Sequence, residues 1–387
     1  MILHDLISYE HLRLIWWLLI GIVLIAFALT DGFDMGTCTL LPFVARNDIE
    51  KRIVINTVGP VWEGNQVWLI AGGALLFAAW SIVYAVAFSG FYFAMYLVLV
   101  ALIIRPVAFK FRSKRPDIGW RRMWDAGLFI GGAVPALLFG VAVGNVILGV
   151  PFHLTEHLIA VPDVGPAMRF LILLRPFALL CGVVSLAMLV MHGSAWLALK
   201  TEGLIAERAR AYGRIAALIA LVGYVLGGVW LAYGIQGYGY PAPPPTEGLS
   251  NPLLVEITRT PSWLQAYSDR SWIMIAPIMG VIGMVMTWWA LSRKSDVVPL
   301  IWSKLAIFGV VSSVGLMMFP MILPSSTAPE SSLSVWNASS SHLSLFVMLV
   351  ATVFFLPIII AYTAFVYRVL TGKVTREEIE DPDSHSY

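Results

Sequence analysis

Pro60-Val61-Trp62-Glu63-Gly64-Asn65-Gln66-Val67-Trp68 sets a carboxylate and two carboxamides between two runs dominated by apolar residues, Ile53 to Thr57 and Leu69 to Trp80. Its meaning depends on whether those runs lie in water or in hydrocarbon. Apolar residues make up 59% of the chain and charged residues 12%, with a mean hydropathy of +0.82. A soluble domain of 387 residues with this balance would have too little polar surface to face water. The composition therefore predicts an all-α, polytopic membrane protein. In that setting an ionisable group costs roughly 2.5–3.5 kcal/mol on insertion scales, so it tends to mark an ion or proton route.

Working outward, about nine spans of some 20–28 residues are long enough to cross a bilayer with some tilt. They run roughly over residues 14–36, 53–78, 81–106, 123–147, 169–197, 212–235, 271–292, 302–324 and 343–367. The first apolar run continues from Leu14 without a small-residue cleavage pattern, so no cleavable signal peptide is expected. The links alternate in charge. One set carries Arg46, Lys51, Arg52, Lys110, Arg112, Lys114, Arg115, Arg121, Arg122, Lys200, Arg208, Arg210, Arg214, Arg293, Lys294, Lys304, Arg368, Lys373 and Arg376. The other carries Arg13, Arg169, Arg259 and Arg270. By the positive-inside rule the first set is cytoplasmic, the N-terminus periplasmic and the C-terminus cytoplasmic. The whole of 1–387 then reads as a single integral membrane domain. Two longer outward links, roughly 148–168 and 236–270, are expected as ordered caps at the membrane surface.

Acidic groups cluster early. Asp31 and Asp34, three residues apart, share a helix face near the cytoplasmic end of the first span. Counting 1.5 Å per residue along an unbroken second span puts Glu63 about 15 Å deep, with Asn56 two turns below it. Pro60 has no N–H, which frees the Asn56 carbonyl to take a water. Asp34, Asp31, Asn56, Thr57 and Glu63 thus read as a rising proton path. The other reading, arginine pairing or helix capping, stays open for Asp34 at the interface. For Glu63, with no basic residue expected at its depth, the functional reading is preferred. Arg105 and Asp125, at facing ends of adjacent spans, are expected to pair with each other.

Metal and haem ligation by this chain is not expected. His192 and His342 fall at opposite ends of the membrane, and His153 and His157 sit in a surface link. Cys38 and Cys181 lie in separate apolar segments and read as packing residues. Fifteen tryptophans are expected mostly in interfacial belts. Gly140 and Gly144 form a small-xxx-small pair for close helix approach, not a phosphate loop. Nothing points to nucleic acid.

The motifs, in order, resemble subunit II of the cytochrome bd-type quinol oxidases, a class that includes the cyanide-insensitive oxidases. They are Thr30-Asp31-Gly32-Phe33-Asp34-Met35-Gly36, Arg46-Asn47-Asp48, Trp62-Glu63-Gly64-Asn65-Gln66-Val67-Trp68, Ala87-Phe88-Ser89-Gly90-Phe91-Tyr92, Arg105-Pro106-Val107 and Met123-Trp124-Asp125. Gly144-Asn145, Met318-Phe319-Pro320, Pro324-Ser325-Ser326-Thr327 and Trp336-Asn337-Ala338-Ser339-Ser340 follow, so the resemblance covers essentially the whole chain.

The resemblance implies two four-helix bundles plus a peripheral helix, in a heterodimer of the bacterial cytoplasmic membrane. It implies haems b558, b595 and d, and the quinol-oxidising loop, on subunit I. Subunit II would support haem insertion, hold a possible structural quinone among membrane lipids, and supply part of the proton path, with Glu63 in the acidic place of its motif. A small accessory subunit is a possible further partner. Trp62, Asn65, Gln66, Trp68, Arg105, Asp125, Asn145 and Trp336 are the motif residues expected to matter for subunit contact. Two positions depart from a common pattern: Asn337 stands where some members carry Asp, and Arg175 where others are neutral. The alternatives are a proton- or cation-coupled secondary transporter, against which the lack of matching acids in the second half argues, and a passive assembly subunit.

Overall fold

The computed structural model describes residues 6–161, 165–293 and 295–380. Lys294, the tail from 381 and residues 162–164 of the first expected cap lie outside the described residues. The apolar segments are helical because hydrocarbon offers no partner to a backbone N–H or C=O, and a helix satisfies its own.

Helix α1 (Tyr9–Val44) starts on Ser8, whose hydroxyl accepts from the His11 N–H, and runs well past the Gly36 end expected for it. Asn47 then caps α2 (Asp48–Val58) by accepting from the Glu50 N–H at 2.8 Å. The second expected span is not one helix. Without a proline N–H the ladder gives way at Gly59-Pro60 to a turn, and α3 (Trp62–Ala79) starts afresh. The third expected span divides as well: α4 (Ser81–Gly90) ends at Phe91, and α5 (Tyr92–Phe111) makes the long crossing. Asp117 caps α6 (Ile118–Leu148). Next come α7 (Pro166–Leu173), α8 (Pro176–Lys200), α9 (Gly203–Gly234), α10 (Gln265–Asp269), α11 (Ile275–Ser292), α12 (Val298–Met318), α13 (His342–Val369) and α14 (Arg376–Glu380).

Eight of the described helices are long and apolar enough to cross a membrane. The second expected span, 53–78, contributes none of the eight, because the 18 residues of α3 include Glu63, Asn65 and Gln66. Helices α1, α3, α5 and α6 pack as one four-helix group, and α8, α9, α11 and α12 as a second. The groups join where α8 lies against both α1 and α6. The joint is backbone-close: a Cβ on Gly36 would fall 2.0 Å from the Leu189 carbonyl oxygen. Gly140 and Gly144 do the same on α6, where added Cβ atoms would fall 2.4 Å from the Cys181 oxygen and 2.7 Å from the Ala178 Cα. Helix α13 stands apart, touching α1 and α3 along one edge, with only Leu345 buried among its residues.

The two ends of the bundle differ in kind. Lys51, Arg112, Arg121, Arg208, Arg210 and Lys373 gather at one end, called the basic end below, and each meets an acid. Arg112 and Arg121 hold Asp48, Arg208 holds Glu50 at 2.8 Å, and Arg210 and Lys373 hold Asp296. Glu50 also accepts from the Arg46 N–H at 2.7 Å. Partial burial works against the Glu50 charge, yet the Arg46 N–H and the Arg208 guanidinium outweigh it and hold this carboxyl below its ordinary value.

The far end is capped by three short antiparallel pairs: β1 (His153–Leu154) with β2 (Ala160–Val161), β3 (Gly237–Gly239) with β4 (Thr258–Thr260), and β5 (Met321–Leu323) with β6 (Leu333–Ser334). Asn337 is buried there, accepting from the Ser334 N–H at 2.7 Å and donating to the Ser332 carbonyl at 3.0 Å. Arg175 is the residue just before α8.

Seven of the fifteen tryptophans are buried within the chain: Trp16, Trp62, Trp68, Trp80, Trp196, Trp263 and Trp336. Where such an indole is buried its N–H seeks a carbonyl, as Trp16 finds Leu345, Trp196 finds Thr57 and Trp263 finds Ile147.

Candidate functional site

Asp31 and Asp34 face the interior of the first bundle and have no accessible surface. The continuation of α1 to Val44 leaves Asp34 about 15 Å from the basic end of its helix, deeper than expected. Arg105 reaches Asp31 from α5, Nη2 to Oδ1 at 2.5 Å, and is equally buried. The Arg105–Asp125 pair expected from the sequence does not form. Arg105 lies level with Gly131 of α6, whose added Cβ would be 2.9 Å from the arginine Cβ. Asp125 is therefore about 9 Å nearer the basic end, where it binds Lys51 at 2.8 Å and Arg112 at 2.5 Å.

Asp34 is held by an amide. Asn65 Nδ2 donates to Asp34 Oδ2 at 2.8 Å, and the Tyr367 hydroxyl donates to Asn65 Oδ1 at 2.5 Å. One chain of hydrogen bonds thus joins α1, α3 and α13. Around it, Asp31 Oδ2, Asp34 Oδ1, Thr37 Oγ1, and Nε and Nη1 of Arg105 are buried with no hydrogen-bonding protein group. Buried polar atoms of this kind are satisfied by internal water in most proteins.

Asn56 and Thr57 end α2 and line a cavity of about 210 Å³ at the basic end. Their donors turn back onto their own helix: Asn56 Nδ2 to the Arg52 carbonyl, and the Thr57 hydroxyl to the Val54 carbonyl. Pro60, Trp196, Lys200, Tyr367 and Glu378 share the lining.

Glu63 is the main correction. It is neither buried nor distant from a cation: its side chain is 66% exposed and 3.6 Å from Lys110 Nζ in the last turn of α5. The turn at residues 59–61 is the reason. It restarts the helix at Trp62, so Glu63 opens α3 on the outward face instead of continuing two turns above Asn56. Val67, Ile70 and Phe77 extend that exposed face along α3.

Of the other motif residues, Trp62, Asn65, Trp68, Arg105, Asp125, Asn145 and Trp336 are buried within the chain, whereas Gln66 is half-buried. Asn145 donates to the carbonyls of Val141 and Leu173, tying α6 to α7. Trp336 packs edge-on to Phe319 in the far-end cap.

His192 does not fit an axial haem ligand. Its Nδ1 is 2.8 Å from the Ser303 hydroxyl and its Nε2 is 3.0 Å from the Leu29 carbonyl, so both ring nitrogens are engaged. His342 Nε2 is 2.8 Å from the Ile7 carbonyl. Among the described residues no group of three or more His, Cys, Asp or Glu is placed to hold a metal ion.

Two residues of the site escape a sequence reading. Tyr367 sits in a span that looks uniformly apolar, where a tyrosine near the end resembles an ordinary interfacial anchor. Lys110 looks like one more topology residue in a basic link.

The chain has known relatives. Residues 12–370 match the family described as cytochrome bd terminal oxidase subunit II. The chain belongs to that family. It is 45% identical over 376 residues to the cytochrome bd-I ubiquinol oxidase subunit 2 of Escherichia coli K12, covering 97% of this chain and 98% of the relative. It is 44% identical over 382 residues to the probable cytochrome oxidase subunit 2 of Haemophilus influenzae, covering 98% and 100%. A chain of the bd oxidase of Geobacillus thermodenitrificans shares the fold, with a TM-score of 0.66 at 15% identity over 93% of this chain and 98% of that one. As a bd oxidase subunit II, the chain is a multi-pass protein of the bacterial inner membrane, and its family implies haem in the complex and a subunit I beside it.

Proposed function

We propose that this chain serves a quinol oxidase that reduces dioxygen to water, bracing the haem-bearing subunit I and supplying part of its cytoplasmic proton path. Haems b558, b595 and d belong to subunit I in this reading. When bound there they carry the electrons from quinol to oxygen, and this chain handles protons and support. Reducing one dioxygen to two waters takes four electrons and four protons, the electrons coming from two quinols. The basic end faces the cytoplasm, as the positive-inside rule requires, and the capped far end faces the periplasm.

The observation that carries this reading is a pair of buried carboxylates, Asp31 and Asp34, each with one oxygen free of protein partners. Asp34 sits one amide away from Tyr367, which lines a cavity at the basic end. Protons from the cytoplasm pass the Asn56–Thr57 cavity to reach the buried pair. Glu63, on an exposed face with Lys110 beside it, is the point where α3 offers a carboxylate to subunit I. A structural quinone, lipids along α13 and a small accessory subunit remain compatible additions. Family membership argues against the coupled-transporter alternative.

The test is a set of purified complexes carrying Glu63→Gln or Asp34→Asn. Quinol-driven oxygen consumption and proton uptake are measured per haem, with haem content taken from reduced-minus-oxidised spectra. Slower turnover with haem intact is expected. Wild-type rates in both variants would remove the proton-path role, and loss of haem with normal turnover per remaining haem would assign these residues to bracing alone.

A further inference from the structure

We propose that the cavity at the basic end is the vestibule of the buried Asp31–Asp34 centre, and that Tyr367 is the positioning residue at its inner wall. This inference rests on the proton-path reading and names the entrance to it.

The cavity, about 210 Å³, has room for several waters. Its lining mixes polar and ionisable groups: Asn56, Thr57, Lys200 and Glu378. Tyr367 belongs to both sides of the wall. The residue lines the cavity, and its hydroxyl is committed inward to Asn65 Oδ1. Between cavity and Asp34 the hydrogen-bonded route is therefore one tyrosine and one amide.

Asn65 explains why the tyrosine matters. A carboxamide has an oxygen that only accepts and a nitrogen that only donates, so its partners decide which way it faces. The Tyr367 hydroxyl fixes the oxygen toward α13, which turns the NH₂ toward Asp34 Oδ2. Asp34 Oδ1 is left free of protein partners, as are Asp31 Oδ2 and Thr37 Oγ1. The carboxylate is thus anchored through one oxygen and open through the other. An amide in its ordinary tautomer does not pass protons along, so Asn65 orients the centre while water past Tyr367 carries the proton.

The vestibule has a built outer wall. The chain after α13 turns back beneath it: Lys200 Nζ donates to the Leu370 and Gly372 carbonyls, the Val374 N–H donates to the Lys200 carbonyl at 2.9 Å, and Ile379 is buried against α2. These contacts hold the segment from Val369 to Glu378 as the floor of the cavity.

The experiment uses the complete complex with Tyr367→Phe, which keeps the ring and removes the hydroxyl, and separately with Asn56→Leu in the vestibule lining. Turnover with quinol, the KM for quinol, the haem spectrum and the solvent deuterium isotope effect are measured. Tyr367→Phe is expected to lower kcat about fivefold, the scale of one lost hydrogen bond between neutral groups. KM and haem spectrum stay unchanged, and the isotope effect grows. Asn56→Leu is expected to lower kcat with the same enlarged isotope effect, and it decides the matter if Tyr367→Phe fails to assemble. Wild-type kcat and isotope effect in the variants that assemble, with Asp34→Asn still slow, would overturn the vestibule and leave the proton path standing. Wild-type behaviour in Asp34→Asn and Glu63→Gln as well would overturn both.

Discussion

Asp31 and Arg105 meet at 2.5 Å with neither side chain accessible to solvent, and Arg105 keeps Nε and Nη1 free of protein partners. Removing one member of a buried pair leaves the other charged without compensation, which costs about 3–5 kcal/mol. Arg105→Leu is therefore expected to lower the melting temperature of the purified complex sharply, and Asp31→Leu in the same background to restore part of the loss. A double variant no more stable than Arg105→Leu would show that the pair is not the source of the cost.

The contact between the two helix groups makes a steric prediction. Gly36→Ala sets a methyl 2.0 Å from a backbone oxygen of α8, so α1 and α8 must separate. Overpacking of this kind costs about 1–3 kcal/mol, read as a drop in melting temperature and in yield of assembled complex. Gly21→Ala on the same helix is the control, because a Cβ there meets nothing within 4 Å.

Glu50 supplies a pH-dependent term. Its folded carboxyl titrates below the ordinary value because the Arg46 N–H and Arg208 favour the charged form over the opposing effect of burial. A depressed carboxyl stabilises the fold above its unfolded value, and that stability drains away as pH falls through the folded one. The stability gap between the native chain and Glu50→Gln is expected to be full at neutral pH and to close below about pH 4. Melting curves at several pH values check it; a gap that stays constant down to pH 3 would refute the assignment.

His192→Gln tests the exclusion of haem from this chain. The variant keeps a group able to bond Ser303 or the Leu29 carbonyl. The reduced-minus-oxidised spectrum of the complex is expected to keep its band positions and its amplitude per complex. Loss of one haem's bands with the rest unchanged would reinstate His192 as a ligand.

Much of the fold was legible in the residues because hydropathy sums over some twenty positions, and no single residue has to be read correctly. Gly140 and Gly144 were legible for a local reason: two small residues one turn apart leave a groove that only a close neighbour fills. Arg105 was not. Its partner depends on how α5 is rotated and shifted against α1 and α6, and helices apolar on most sides do not encode rotation in their pattern. Pro60 carried a correct signal at the wrong strength. A missing N–H alone implies one freed carbonyl; with Gly59 before it the helix stops altogether, and Glu63 opens α3 on its exposed face beside Lys110 rather than two turns above Asn56. Tyr367 gave no local sign, since its role exists only through Asn65, 302 residues earlier.

That separation bears on how the chain is made. Asp31, Asp34, Asn65 and Arg105 all leave the ribosome within the first third of synthesis, and the amide between Tyr367 and Asp34 stays unclamped until α13 arrives. Helix α13 buries only Leu345 among its residues, and Tyr367 is its hydrogen-bonded tie to the acidic centre. A chain stalled before residue 367 would contain every buried acid and still lack the group that orients them. The polar interior closes only when α13 has been made and docked against α1 and α3.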